Sequence, residues 1–528
     1  MSKFFLLFLS LPLALTLSGA SGIASDTSAP DAVTKAVVPP GSREKNLSLF
    51  IDALLEKDPD IQCKKLLEVV AADPANAETP LKAFFSSFKK VKNKTALLAQ
   101  FNGIWKKSPE NFFLALFGVE LNKICGTPAR ERLAQLKHLN SLSPEKLCTS
   151  PGWTREMSVS LLHNTAICCM ELRQYDTLGK LFEKWTKTPV QHRLALYVTL
   201  GSFCHTAAAR SYCSGDPVLG KELEKCFNAS ISGLKEIESS VSDNKEAWSI
   251  LLLYSSYRQI LGDKPLRFAE AFYRRSRSAN ANVWRLGAAV DCGNMTILNA
   301  AVKEISAANP RFDASELRFK TLLNAGKFAE AAKELSSQPE KRHFELRREL
   351  YMKQKEWQKL QQLVTDRLRK GAPADAASGI ILLTSAEHLR SIPLYRQALR
   401  ILAPHLGNPA VANAVGYIGA VLEQDLPNAR KLLESALSKE PGNYAYLDSM
   451  AWICFKQKRY AEAEKWIKKA LAAATPREGM AVILDHAGDI AAAQGKNPRY
   501  WYELAVKYAP FDNECNPADI TKKLKALK

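Results

Sequence analysis

The sequence predicts an all-α protein, a helical-hairpin solenoid that follows a removable N-terminal segment. Three observations lead there. Apolar residues toward the C-terminus recur at helical spacing in pairs of short segments. Those pairs repeat at an offset of 34 residues. Ala, Leu, Lys, Glu and Arg dominate the composition, and alternating runs of Val, Ile and Thr are hard to find, which favours helix by propensity. At 528 residues the chain can hold several domains or one long array. Its 46% apolar and 24% charged residues suit a soluble globular chain.

The first element is "MSKFFLLFLSLPLALTLSGASGIAS". Lys3 is a short cationic n-region, and residues 4–17 form an apolar stretch with Pro12 inside it. Small residues follow, with Gly22 and Ala24 placed for a cut after Ala24; a cut after Ala20 is the alternative. This pattern predicts a secretory signal peptide over 1–24. Its apolar run is shorter than the ~18–20 residues a membrane span needs. The first cysteine is Cys63, so no lipid-anchor cysteine stands at the cut. No later segment reads as a span. The expectation is a soluble, exported chain in the periplasm or outside the cell. Residues 25–45, rich in Ser, Pro and small residues, read as a flexible leader.

The formal net charge is +19, and loss of Lys3 with the signal peptide would leave +18. Export argues against nucleic acid. It leaves a polyanionic envelope polymer, an anionic membrane surface or an acidic protein as charge-matched partners, beside a merely solvated basic surface. The basic stretches 88–94, 272–278 and 520–528 are scattered and lack the interleaved aromatics of a single-strand binder.

Eleven cysteines are present, and export permits disulfides. Cys125 with Cys148, and Cys204, Cys213 and Cys226 among themselves, stand at spacings that a bridge could close, with connectivity open. Cys168, Cys169, Cys292 and Cys454 fall inside helical patterns and read as small core residues. There is no Cys-x-x-Cys.

The hairpins are clearest at the C-terminal end. In 445–476, Ala463, Ile467, Ala470, Leu471 and Ala474 share one helix face, and Glu464 can pair with Lys468. A first helix runs from Ala445 to Gln457, the turn is "KQKRY", and Pro476 closes the unit. The preceding unit, 413–443, places Ala429, Leu433 and Ala436 where the next has Ala463, Ile467 and Ala470, and closes on Pro441. A third, 483–510, supplies Gly488, Gly495, Tyr502, Ala505 and Pro510.

A fixed period of 34 with two helices per unit resembles the tetratricopeptide repeat (TPR) family, in the form seen in exported bacterial proteins. The resemblance covers about 410–510. Its small and large slots read Ala451, Cys454, Ala463, Ile467 and Ala470 in the central unit. Degenerate hairpins precede it: 63–74; 167–185 with Tyr175, Leu178 and Phe182; 322–339 with Gly326, Phe328 and Ala331; and 350–364 with Trp357. The expected organisation is a divergent hairpin region over 46–404, a C-terminal repeat array over 405–512 and a basic tail over 513–528.

No constellation for catalysis stands out. "GDIAAAQGKN", 488–497, has six residues between its glycines and Asn497 after Lys496, which departs from a phosphate loop. His-x-x-x-His and Gly-x-Ser-x-Gly are absent, and His486 reads as a solvent-facing helix residue. No cofactor or metal is expected.

The family resemblance implies that first helices line a concave, partner-binding face. By slot, that face carries Asp448, Trp452, Phe455 and Lys456 in one unit and Asp485 and Asp489 in the next. The aromatics are the type of residue that anchors interfaces, although Trp452 could equally pack on the neighbouring repeat. The cationic clamp that some family members use for a terminal carboxylate is unmatched, because these slots are acidic. The leading expectation is a non-catalytic scaffold or adaptor of the bacterial cell envelope. The rivals are an electrostatic binder of an anionic polymer or membrane surface, and an envelope enzyme whose site lies in the divergent region.

Overall fold

The computed structural model describes residues 42–335, 340–476, 479–512 and 515–527. The signal peptide expected over 1–24, and the leader up to residue 41, lie outside the described residues. Among the described residues every regular element is a helix, and none is long and apolar enough to cross a membrane. The chain divides into two compact units. One comprises the residues up to Ala208 with Pro217–Ile237; the other comprises Ala209–Asp216 with Glu238–Lys528.

In the first unit, helix Pro59–Ala72 starts where the Asp58 carboxylate accepts from the Asp60 and Ile61 amides and Pro59 supplies the first turn. Its apolar face, with Cys63, Leu66 and Leu67, joins Leu81, Phe84, Phe88 and Phe101 in one core. Apart from Cys63, whose thiol donates to the Phe84 carbonyl at 3.8 Å, these are rings and branched aliphatics with no polar atom to satisfy, so burial contributes roughly 2 kcal/mol for each. The hairpin expected at 167–185 is present as Arg155–Glu171 and Tyr175–Trp185, with Leu178, Phe182 and Trp185 buried. Buried Arg132 of helix Ala129–Gln135 pairs with Glu171, tying that hairpin to the helix before it.

The second unit is a run of helical hairpins. First helices are Asn244–Ser256, Ala279–Asp291, Ser315–Asn324, Glu340–Gln354 and Ala376–His388. Their partners are Lys264–Ser276, Met295–Ala308, Phe328–Glu334, Trp357–Arg369 and Ile392–Leu402. The C-terminal repeats follow as α1 (Pro409–Val421), α2 (Leu426–Lys439), α3 (Tyr444–Lys456), α4 (Tyr460–Ala473), α5 (Met480–Ala493) and α6 (Arg499–Tyr508). The basic tail forms a last helix, α7 (Pro517–Ala526), which packs on α6.

Two local devices make the hairpin recur. Several first helices begin at a side-chain cap: Asp243, Ser278, Asp375, Asn408 and Asn443 each accept from an amide in the first turn. Most first helices end by passing one residue through the left-handed region. Gly293, Gly326, Lys355, Arg390, Glu423, Lys458 and Gly495 all have positive φ between the two helices of a hairpin. The next amide then bonds back over the turn, as Arg459 N–H does to Cys454 O at 2.8 Å and Gln424 N–H to Gly419 O at 2.8 Å. The chain leaves each first helix already pointed back along it. The turn recurs in the divergent hairpins, whose packing slots had drifted beyond recognition.

Packing within the last repeats depends on small residues opposite large ones. A Cβ on Gly416 would come 2.2 Å from Leu433 Cδ2, and one on Gly488 would come 2.2 Å from Tyr502 Cε1. Ala451 fills the corresponding place in the middle repeat and is fully buried, with Ile467. Neighbouring repeats are further cross-linked: Arg430 to Glu462 at 2.7 Å, Lys456 to Glu423 at 3.0 Å and Lys496 to Glu464 at 2.6 Å.

The two ends of this second unit meet. The Tyr257 ring lies edge-on to Phe511 at 6.1 Å. Tyr500 O–H donates to the Tyr212 carbonyl at 2.7 Å, and the Arg210 guanidinium donates to the Ala473 carbonyl at 3.3 Å.

Candidate interaction face

Helix α3 and its neighbours α1 and α5 lie side by side, so one face of each is shared along the array. On that face the structure gathers four aromatic rings. Trp452 stacks on His486 of α5 with centroids 4.1 Å apart and planes 18° apart. Phe455 stacks on Trp452 at 4.8 Å and 16°. Tyr417 of α1 approaches His486 at 6.3 Å. Lys456 Nζ sits 5.5 Å above the Trp452 ring while held by Glu423. Trp452 is half-buried; its enclosed Nε1–H meets no acceptor among the described residues, and the enclosed Asn413 side-chain oxygen, one turn before Tyr417, likewise meets no donor among them.

The acidic residues are engaged within the fold. Asp448 is buried, with its carboxylate oxygens 3.0 and 3.1 Å from His486 Nδ1. Burial, the largest influence on His486, disfavours its cation. Asp448, supported by Asp485 and Asp489, outweighs burial and holds the His486 pKa above its ordinary value. Asp485 and Asp489 share one cation: Lys523 Nζ of α7 stands 2.8 Å from both Asp485 oxygens and 2.9 and 2.8 Å from those of Asp489. Burial pushes the Asp485 carboxyl up against that ion pair. Burial lowers and the two carboxylates raise the Lys523 pKa, with the carboxylates prevailing. Tyr502 O–H also donates to Asp489 at 2.8 Å.

The structure therefore brings Trp452, Phe455 and Lys456 together on the exposed side of α3. It places Asp448 beneath them and Asp485 with Asp489 under α7. His486 was expected at the solvent-facing side of its helix and is instead 6% exposed. A helix in a stack is covered on two sides, by its hairpin partner and by the adjacent first helices. The outward arc is narrower than for a surface helix, and His486 falls under Asp448 and Trp452. Tyr417 was also missed, although it stands 35 residues before Trp452, close to one repeat period. Lys523 carried no such signal, because its helix lies beyond the last full repeat.

All eleven cysteines are free thiols. Cys168, Cys169 and Cys454 are buried as expected for core positions, and Cys292 is partly exposed. Among the described residues no group of three or more potential ligands is placed to hold a metal ion.

Comparison with known proteins bears on the same region. The tetratricopeptide repeat profile matches residues 420–479, which run from the end of α1 through α2, α3 and α4. A TPR repeat-containing protein of Pseudomonas aeruginosa is 35% identical over 71 residues, covering 13% of this chain. The chain spans 12% of that relative's length. Two solved structures align over 92% of this chain and 96% of their own: the APC/C hetero-tetramer Cut9–Hcn1, at 13% identity and a TM-score of 0.32, and the yeast Tom70, at 12% and 0.30. Stacked hairpins of this class present extended surfaces to other proteins. With the 34-residue spacing, the small-against-large packing and the matched segment in agreement, the C-terminal part of this chain carries tetratricopeptide repeats.

Proposed function

We propose that this protein is an exported, non-catalytic scaffold of the bacterial cell envelope that captures a protein partner on the shared first-helix face of its C-terminal repeats. The observation that carries this reading is the aromatic group Tyr417, Trp452 and Phe455. It is half-buried rather than sunk in the core, so part of each ring stays open to a partner. Trp and Phe supply contact area with little side-chain entropy to lose. The Asp448, Asp485 and Asp489 carboxylates lie behind this surface, already paired, and set its geometry. Export rests on the N-terminal 1–24 pattern.

The experiment is affinity capture from an envelope extract, eluted in rising salt, with the wild-type chain and a Phe455→Ala/Lys456→Glu variant. Both side chains are half-buried and Lys456 is held by Glu423, so the variant's circular dichroism spectrum and urea midpoint are compared with the wild type before capture is read. A defined protein that survives high salt and is lost with the variant supports the reading. Release of a polymer or lipid at modest salt, unchanged in the variant, overturns it in favour of electrostatic binding by the basic surface of the exported chain.

A further inference from the structure

Helices Val190–Cys213 and Pro217–Ile237 run antiparallel across a turn at Gly215 and approach unusually closely. Gly201 stands opposite Ser230, where an added Cβ would come 2.8 Å from the serine Cβ. Gly233 stands opposite Tyr197, where a Cβ would come 2.3 Å from the ring. The His205 ring stacks on Phe227 with centroids 4.6 Å apart. These three contacts fix the register of the pair. In that register Cys204, eleven residues before Gly215, faces Cys226, eleven residues after it. The two thiols lie close enough for each to shift the other's pKa, and Cys204 is fully buried while Cys226 is 9% exposed.

We propose that Cys204 and Cys226 form a disulfide that staples this helical hairpin. A disulfide requires two Cα atoms within about 4.4–6.8 Å and side chains that converge. The close approach at Gly201 and Gly233 brings the two helices together next to this level, and the facing thiols supply the convergence. The alternative bridges within this group are excluded by geometry. Cys213 is nine residues from Cys204 on the same helix, roughly 13 Å along its axis. Cys213 stands two residues before Gly215 and Cys226 eleven after it, so the two do not share a level of the hairpin. Of the other pair at bridgeable spacing, Cys125 packs against the core near Lys94, and Cys148 is hydrogen-bonded to Ser158.

The chemistry is thiol–disulfide exchange with a disulfide-bearing oxidant, either a low-molecular-weight disulfide or an oxidoreductase. The Cys226 thiolate attacks the oxidant's disulfide and expels one thiolate. Cys204, deprotonated, then attacks the Cys226 sulfur of the mixed disulfide and expels the second. Two protons pass from the protein thiols to the two released thiolates, and two electrons reduce the oxidant. The interaction between the thiols fits this order: it holds the Cys226 pKa below its ordinary value, and that interaction together with burial pushes Cys204 well above. With Cys204 closed off in the folded chain, the bridge forms as the hairpin packs.

The test is to refold the full chain from urea in a glutathione redox couple, quench with acid, alkylate and digest, and identify linked peptides by mass spectrometry. The expected result is a Cys204–Cys226 peptide pair, two hydrogens lighter than the free pair and at least about tenfold more abundant than any other linkage. The oxidised chain should melt about 5 °C or more above the reduced chain. Cys213→Ser keeps both results, and Cys226→Ser loses both. Full alkylation of Cys204 and Cys226 at oxidant ratios that oxidise a reference dithiol overturns the proposal, as does either residue linking predominantly to a different cysteine. Because the linkage is read on the wild-type chain, a poorly folding Cys226→Ser variant does not obscure the answer.

Discussion

The Asp448 carboxylate lies 3.0 Å from His486 Nδ1 while Trp452 covers the same imidazole at 4.1 Å, so a buried ion pair is clamped between two first helices. A histidine whose folded pKa is raised binds a proton more tightly in the native state. Its contribution to stability is complete below the unfolded value near 6.5 and is lost as pH rises through the higher folded value. Urea midpoints measured from pH 5 to 9 should therefore fall across that upper window. Asp448→Asn should flatten the fall and cost about 3 kcal/mol at pH 6, because it strands a buried cation. An unchanged pH profile in Asp448→Asn would remove this pair from the account.

Gly488 and Gly416 are places where a single methyl group has nowhere to go. Gly488→Ala should destabilise the last repeat by about 1–3 kcal/mol, since Tyr502 must leave its rotamer or the helices must part. Pairing it with Tyr502→Leu, which removes the obstructing ring, should recover part of that loss. A denaturation series on the two single variants and the double variant reads the coupling directly.

Lys458 holds a φ of 62° between α3 and α4, a conformation that glycine adopts without strain. Lys458→Gly should stabilise the chain by about 0.5–1 kcal/mol, the relief of the Cβ clash less the added freedom of the unfolded chain. The variant should raise the urea midpoint without altering the transition's slope.

Lys523 is the one cation placed between Asp485 and Asp489 in the described structure. Lys523→Ala leaves those carboxylates facing each other beneath α7. Hydrogen exchange in 517–526 should accelerate by roughly tenfold, with little change in α3 and α4. Equal acceleration throughout α3–α6 would mean that α7 holds more of the array than this contact implies.

The C-terminal hairpins were legible because three signals coincide there: helical periodicity, small residues opposite large ones and a repeated offset. Ala463, Ile467 and Ala470 are buried where the spacing placed them, and Glu464 pairs with Lys468 at 2.8 Å. Upstream, the slots drift while the turn persists. Arg390 and Lys355 take the left-handed conformation without being glycine, so the feature common to those hairpins is a backbone state that residue identity conceals. The helix arrangement around this face was half legible. Slot position set Trp452 and Phe455 on one side of α3, where they stack, but the pairings of Asp448 with His486 and of Asp489 with Lys523 join residues 38 and 34 apart. Such pairings depend on how far each first helix is rotated against the next, which one repeat's pattern does not encode.

The meeting of Tyr257 with Phe511, and of Tyr212 with Tyr500, gives the second unit a seam. A linear stack frays from its termini, because an end repeat has one neighbour and every other repeat has two. Once the ends touch, no repeat is terminal in that sense, and the order of melting is set by local cohesion instead. The weakest stretch then lies in the interior, around the seven-residue helix Phe328–Glu334, whose one fully enclosed side chain is Ala331. A hoop opens at its thinnest link, and here that link is far along the chain from the seam that closes it.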